Sequence, residues 1–383
     1  MSSKVGIGKN VFILGLVSFF NDVASEMIYP LVPIFLTNIL GAPVSIVGLI
    51  EGIAEFTASL LKVFSGWFSD KIQKRKPFIV LGYSCSAISK IFLALASVWP
   101  FVLFARFIDR FGKGVRTAAR DALIAESSQN FERGKAFGFH RTLDTLGAVL
   151  GPILALLAIK FLNNNFRLIF LIAFVPALIS ILLLIFFVKE KKKKTNQNFS
   201  FKFKWRDLNF SFKIFLIISV IFALGNSSDA FLILRAQNLG LSSYLVVLAY
   251  VLYNLTYAIF STPAGIISDK LGPKKVIFVG FGIFSFVYFL FGIIKFSWFV
   301  WILFPIYGIY MALTDGVGKA YISNLVPQQK IGTAFGIYQT LIGLTVFLAS
   351  YIAGLLWTYI EPAAPFIFGG FTALLACFLV VLL

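Results

Sequence analysis

From Leu168 to Val188 the chain runs the width of a bilayer without one charged side chain, and segments of that kind recur along its whole length. An α-helix needs roughly 20 apolar residues to cross a hydrocarbon core. Lipid offers the backbone no hydrogen-bond partner, so spanning segments are helices or strands of a closed barrel, and runs this long suit helices. Twelve such segments are found: Val11 to Leu36, Val44 to Ser69, Pro77 to Ala96, Pro100 to Ala122, Gly134 to Ala158, Leu168 to Val188, Phe212 to Leu234, Tyr244 to Ser268, Val276 to Ile294, Trp298 to Leu325, Gly332 to Trp357 and Ala363 to Leu383. The predicted class is an all-α membrane protein of twelve transmembrane helices. Six fall in residues 1–188 and six in residues 212–383, with a basic linker, 189–211, between them.

Composition narrows the partners. The chain is 59% hydrophobic and 13% charged, against about 25% charged in soluble domains. A net charge of +18 would suggest nucleic acid in a soluble protein. Here Lys and Arg sit in short loops between apolar runs, as the positive-inside rule expects, so no nucleic acid partner is expected. The loops after spans 2, 4, 6, 8 and 10, with the N-terminus, hold most of them; the opposite side shows Lys160, Arg167, Arg235 and Lys295. Both termini are therefore expected in the cytoplasm of a cell membrane of the bacterial inner-membrane kind. The linker, with Lys191 to Lys194, Lys202, Lys204 and Arg206, suits anionic lipid headgroups. The start, Met1 to Asn10, has the look of a signal peptide, but the apolar run continues past Asp22 and Glu26 without a cleavage pattern, and reads as a retained first helix. Cys85 and Cys377 fall inside apolar segments without metal-ligand spacing, which predicts neither a disulfide nor a metal site.

The chain also repeats itself. Gly66-Trp-Phe-Ser-Asp70-Lys71-Ile-Gln-Lys74-Arg75-Lys76 closes the second span, and Gly265-Ile-Ile-Ser-Asp269-Lys270-Leu-Gly-Pro-Lys274-Lys275 closes the eighth. Gly134-Lys-Ala-Phe-Gly138-Phe-His-Arg-Thr-Leu143 matches Gly332-Thr-Ala-Phe-Gly336-Ile-Tyr-Gln-Thr-Leu341 at six of ten positions. Both pairs lie about two hundred positions apart, the mark of a duplicated unit. Parallel repeats of membrane helices are a transporter design.

Two six-span halves, a basic Gly-x-x-x-Asp-Lys loop in each, and Gly147-Ala-Val-Leu-Gly151-Pro152 in the fifth span together resemble the major facilitator superfamily over the whole chain. The last motif resembles that of its drug/proton antiporter branch. Gln73, where the loop motif often has Gly, and Ile153-Leu-Ala, without the Gly pair that often follows, depart from the pattern. The resemblance implies two pseudo-symmetric six-helix bundles and alternating access. It assigns gating to Gly66, Asp70, Lys71, Arg75 and Asp269 in the loops and to Gly147, Gly151 and Pro152 on the fifth span. It also places Arg106 where the family has a membrane-embedded arginine linked to proton transfer, with Arg110 replacing the usual Gly. Read without the family, the loop bases anchor the interface and the Gly residues permit tight helix packing.

Charges inside the spans follow a gradient. Spans 1, 4, 7 and 10 hold Asp22, Glu26, Arg106, Asp109, Arg110, Lys113, Asp229, Asp315 and Lys319; spans 2, 5, 8 and 11 hold Glu51, Glu55, Lys62, Arg141 and Asp144; the rest hold Lys90. An ion in hydrocarbon costs at least about 3 kcal/mol, so these groups must face water or one another. Every third helix thus lines a polar path. Asp22 and Glu26 stand one turn apart, where two carboxylates cannot both ionise cheaply. That is the requirement of a proton-coupling site, and a static ion pair with Arg110 or another fourth-span base is the alternative. Asp229 is the counterpart in span 7, and Asp315-Gly-Val-Gly318-Lys319 echoes Asp109-Arg-Phe-Gly112-Lys113. Proton coupling is therefore expected at Asp22, Glu26, Arg106 and Asp229. A substrate cavity is expected along Asn21, Glu55, Arg110, Lys113, Asn226, Asp315 and Lys319. His140, one turn from Asp144, either relays a proton or is simply satisfied.

No Walker loop, His/Cys cluster or Gly-x-Ser-x-Gly elbow is present, so neither a cofactor nor catalytic residues are expected; an intramembrane enzyme is the remote alternative. The reading is a monomeric secondary transporter exchanging a small organic substrate for protons. A carrier of organic anions, drawn by Arg106, Arg110, Lys113 and Lys319, is the alternative.

Overall fold

The computed structural model describes residues 8–72, 74–127, 133–190, 209–326 and 331–381, and among these every regular element is helical. Fourteen α-helices follow one another: α1 (Lys9–Ile28), α2 (Leu31–Ile34), α3 (Val44–Ile72), α4 (Lys76–Leu95), α5 (Trp99–Glu126), α6 (Arg133–Phe161), α7 (Phe166–Phe187), α8 (Phe210–Gly225), α9 (Ala230–Asn238), α10 (Ser243–Leu271), α11 (Pro273–Ile293), α12 (Val300–Leu325), α13 (Ile331–Tyr359) and α14 (Ala364–Val380). Ten helical stretches are long and apolar enough to cross a membrane. The other two expected spans are α5, whose charges lower its hydropathy, and α14, which is only 17 residues long. Most of the basic linker, 191–208, lies outside the described residues, as does Gln73.

Two of the twelve spans are interrupted where the sequence reading expected continuous helices. In the first, Pro30 and Pro33 lack the amide hydrogens an α-helix requires. The chain passes from α1 through Tyr29-Pro30 into α2 and then a π-helical stretch, Phe35–Ile39, closed by Leu40 N donating to Phe35 O at 3.1 Å. In the seventh, Asn226 leaves helical geometry (φ −87°, ψ 75°), and Asn226-Ser-Ser-Asp229 joins α8 to α9. Short polar side chains bond their own backbone and so compete with the helix: Ser228 Oγ accepts from Ala230 N at 3.3 Å. Discontinuous spans are where transporter folds place their sites.

The chain divides into two compact units, residues 1–31 with 57–200 and residues 32–56 with 201–383. In the first, α1 packs on α6 and α7, and α4 on α5 and α7. In the second, α8 packs on α13 and α14, and α11 on α12 and α14. Matching helices thus make matching pairs, as a duplication requires. Helix α4 lies close on α5, where a Cβ at Gly82 would lie 2.5 Å from Gly112 O. At the corresponding place in the second unit, a Cβ at Gly280 would meet Thr314 Cγ2 at 2.6 Å and Leu313 Cβ at 3.4 Å. Large apolar side chains such as Leu171, Phe186, Ile217 and Phe286 remain exposed, as they must on a surface that meets lipid.

Candidate functional site

The first unit has an ionic core. Helix α5 buries Arg106, Asp109, Arg110 and Arg116, and α4 buries Lys90 completely. Lys90 Nζ lies 3.5 Å from Asp109 Oδ1 and donates to Ser25 Oγ at 3.4 Å. Arg106 lies 3.9 Å from the other oxygen of Asp109, with its guanidinium 5.6 Å from the Tyr29 ring. About two turns further along α5, Arg116 donates to Ser86 Oγ at 2.5 Å and stacks 4.5 Å over Tyr83. Asp109 is therefore matched to Lys90 and Arg106 from two helices. Spacing along α5 alone does not disclose Lys90, because it says nothing of the helix opposite. Lys113 is half-buried on α5.

Helices α1 and α6 meet through the Gly–Pro motif. A Cβ at Gly147 would lie 2.5 Å from Phe19 O and 3.1 Å from Asp22 Cβ; one at Gly151 would lie 2.8 Å from Val23 O and 2.9 Å from Glu26 Cβ. Pro152, buried, removes a backbone donor within the helix. The motif thus presses α6 directly against the Asp22 and Glu26 turns. Asn21, 1% exposed, donates Nδ2 to Asp22 Oδ1 at 3.4 Å. Across the contact, Asp144 stands one turn before Gly147 on α6. Arg141 lies 3.2 Å from Asp144 Oδ2. His140 turns to α1 rather than to Asp144: its Nε2 lies 2.7 Å from Ser18 Oγ, which also meets Tyr83 and Arg120. The second unit keeps the outline of this contact, with the Tyr338 ring stacked on Phe215.

The second unit is built otherwise. Where α4 and α5 of the first unit carry Lys90, Arg106 and Asp109, α11 and α12 of the second carry Tyr288, Tyr307 and Tyr310. All three tyrosines are almost wholly buried, and their rings pack together at 5.1 to 6.2 Å. At the α8–α9 break, Asp229 accepts from Tyr307 OH at 2.7 Å and Tyr253 OH at 3.2 Å. Asn226 donates to Tyr310 OH at 3.2 Å. Ser228 donates to Glu51 Oε2 at 3.5 Å, so Glu51 and Glu55 share the electrostatic surroundings of Asp229. Toward the end of α12, Lys319 lies 2.7 Å from Asp315, which also accepts from Tyr257 at 3.0 Å. Reading the charges missed these tyrosines. A signal was present in Tyr250, Tyr253 and Tyr257 at i, i+3 and i+7 on α10, of which Tyr253 packs on Tyr307 of α12.

The loop motifs separate. Gly66 lets α3 approach α5, its Cβ position 3.2 Å from Ala118 Cβ, whereas a Cβ at Gly265 would meet nothing within 4 Å and Asp269 is exposed. The side chains of Asp70 and Lys71 lie outside the described residues. Arg75 is buried, donates to Ser69 Oγ at 2.8 Å and lies 3.4 Å from Glu126. The Glu190 carboxylate accepts from the backbone amides of Arg75 and Lys76 at the start of α4, and Lys76 Nζ donates to the carbonyls of Ile185 and Val188 at 2.8 Å. The beginning of the linker is thereby clasped to the loop after α3.

Membrane-spanning helices in two like units, two spans broken beside half-buried acids, define a multi-pass membrane transporter. The chain belongs to the Major Facilitator Superfamily, whose model matches residues 14–234 and 214–383. It is 40% identical to an uncharacterised MFS-type transporter of Methanocaldococcus jannaschii, over 97% of this chain and 94% of that one. A weaker similarity, 31% over 37% of this chain and 34% of the relative, is to the multidrug resistance protein MdtH of Baumannia cicadellinicola subsp. Homalodisca coagulata. Among solved structures, a mutant of the nucleoside transporter NupG superposes with a TM-score of 0.81 over 97% of this chain and 99% of that one; at 11% identity this shows the fold alone.

Proposed function

We propose that this chain is a proton-coupled exporter that exchanges a small organic substrate for protons by alternating access of two six-helix bundles, 1–188 and 212–383. The observation that carries the reading is Asp229. Among the described residues its hydrogen-bond partners are the hydroxyls of Tyr253 and Tyr307, not a base. A carboxyl group within a membrane span whose partners are neutral can gain or lose a proton without breaking an ion pair. Asp22 and Glu26, pressed against the Gly147–Gly151 face, supply a second acidic position, and Arg106 pairs with Asp109 on its own helix. Asn21, Glu55, Arg110, Lys113, Asn226, Asp315 and Lys319 are assigned to the substrate path. Gly66, Asp70, Lys71, Arg75, Asp269, Gly147, Gly151 and Pro152 are assigned to gating. The similarity to MdtH favours export of drug-like compounds.

The test is transport by purified protein in liposomes carrying an imposed ΔpH, with ethidium as a lipophilic cation. Ethidium movement that dissipates ΔpH in wild type and fails to do so in Asp229→Asn supports the reading; equal dissipation in both overturns it. One observation favours a second reading: four buried bases, Lys90, Arg106, Arg110 and Arg116, surround Asp109. A response confined to carboxylates or phosphate esters in the same liposomes selects the organic-anion carrier.

A further inference from the structure

We infer that His140 on α6 is a positioning residue that stays uncharged: it accepts the Ser18 hydroxyl hydrogen, fixes α1 against α6, and takes no proton in the exchange. The protonation state follows from the hydrogen-bond geometry alone; the positioning half rests on the proton-coupled reading above. A serine hydroxyl gives one hydrogen bond and accepts two. Ser18 Oγ, buried on α1, has three partners: Arg120 Nη1 of α5 at 3.2 Å, Tyr83 OH of α4 at 3.1 Å and His140 Nε2 at 2.7 Å. Arg120 can only donate, so it takes one accepting position. The Tyr83 hydroxyl has no other acceptor among the described residues, so its hydrogen fills the second. The Ser18 hydrogen is then left for His140, whose Nε2 is the bare nitrogen of a neutral imidazole with its hydrogen on Nδ1. A hydrogen on Nε2 would give three donors two positions and strand the one on Tyr83, which is 1% exposed.

The charges around the ring fit a neutral imidazole. An imidazolium would put a second cation on the oxygen that Arg120 already holds. Arg120 is matched to Asp121 at 3.0 Å and Arg141 to Asp144 at 3.2 Å, so both of these nearby acids already hold a base. On α1, Asp22 and Glu26 lie one and two turns beyond Ser18, and Lys9 more than two turns before it. Helix α7 has Arg167 as its one titratable side chain, and that guanidinium donates to Ala96 O. Packing shows what the bond holds. A Cβ at Gly15 would lie 2.6 Å from Leu143 Cδ1, and one at Gly147 would lie 2.5 Å from Phe19 O. The Ser18–His140 bond thus crosses the joint between two places where α1 and α6 touch, and it sets the rotation of α1 that aims Asp22 and Glu26. The duplicated segment agrees: Tyr338, neutral at physiological pH, stands at the place of His140 and packs on Phe215 of α8.

The chain has one histidine, so ¹⁵N-histidine labelling reports His140 alone. Purified protein in lipid nanodiscs is followed by ¹⁵N NMR at about pH 7.5, above the ordinary histidine value. The expected spectrum has a pyrrole-type Nδ1 and a pyridine-type Nε2, the reverse of the tautomer that free histidine prefers. Ser18→Ala, which removes the donor, is expected to bring back the Nε2–H form. A wild-type spectrum of the Nε2–H tautomer or of an imidazolium overturns the assignment, as does an unchanged tautomer in Ser18→Ala. The wild-type arm uses the unmutated chain, so it stands even if a variant fails to fold. In liposomes with an imposed ΔpH, His140→Gln, whose amide oxygen can still accept from Ser18, is expected to keep ethidium exchange and its pH profile, while His140→Leu loses the exchange. Loss in both variants, retention in both, or a shifted pH profile in His140→Gln overturns the positioning role. If the spectrum is as expected but wild type shows no ΔpH-driven exchange, it is the exporter reading that fails and not the neutral histidine.

Discussion

Single positions in this chain differ in how much room the neighbouring backbone leaves. At Gly151 an added Cβ would meet Val23 O at 2.8 Å and Met27 N at 2.9 Å, atoms that cannot turn aside. Gly151→Ala is expected to destabilise by about 1–3 kcal/mol, the usual cost of overpacking, read as a lower thermal unfolding midpoint in detergent. Gly265→Ala, at the repeat's loop motif, meets nothing within 4 Å and sits in a helix. It is expected to cause no loss, since Ala exceeds Gly in helix propensity by about 1 kcal/mol. At Asp229, Tyr307→Phe removes the shorter of two donors and should cost about 1 kcal/mol. If the Tyr307 variant instead shows wild-type stability and an unchanged proton response, the carboxylate does not depend on that hydroxyl.

Between helices, the α4–α5 contact makes the sharpest stability prediction. Lys90 is fully buried against Asp109, and truncating one partner of a buried pair costs about 3–5 kcal/mol because it strands the other charge. Lys90→Met is therefore expected to unfold far more easily than Lys90→Met/Asp109→Leu, with the double variant recovering much of the loss in a double-mutant cycle. Nothing in the spacing of Asp109 pointed to Lys90, and this marks the limit of what the sequence discloses. Apolar runs and the duplicated motifs announced twelve helices, because hydrocarbon imposes one length and one hydrogen-bonding solution on each. Gly147 and Gly151 were legible as a packing face for the same reason: small residues at helical spacing mean close approach whatever the partner. The cross-helix bonds of His140 with Ser18 and Asp229 with Tyr307 were not legible, since helical spacing orders side chains along one helix and leaves the facing helix unknown. The breaks at Tyr29-Pro30 and Asn226 to Asp229 fall between these cases. Pro30 and the Asn-Ser-Ser-Asp run are helix-interrupting residues, yet hydropathy carries straight through both.

For the molecule as a whole, the decisive question is whether α5 crosses the membrane at all. Its seven charged residues between Arg106 and Asp121 keep it off the set of stretches apolar enough to span, and α14 is short. Parity nonetheless demands that α5 cross. The duplicated Asp-Lys loops after α3 and α10 can lie on one face only if an even number of spans separates them, and without α5 the number is odd. Crossing is affordable because Arg106, Asp109, Arg110 and Arg116 are buried against α4 and its neighbours rather than turned to lipid, the condition under which ions are tolerated at membrane depth. Single cysteines placed in a chain lacking Cys85 and Cys377 test this with a membrane-impermeant maleimide. Ser97 precedes α5, Asn164 follows α6, and Lys275 lies at the start of α11; all three are exposed. Since α5 and α6 together carry the chain across and back, Ser97→Cys and Asn164→Cys are expected to label from outside intact cells, and Lys275→Cys only in everted vesicles, where the positive-inside rule places its basic loop. Labelling of Ser97→Cys and Asn164→Cys from opposite sides would remove α5 from the membrane, and with it the polar path on which the exporter reading depends.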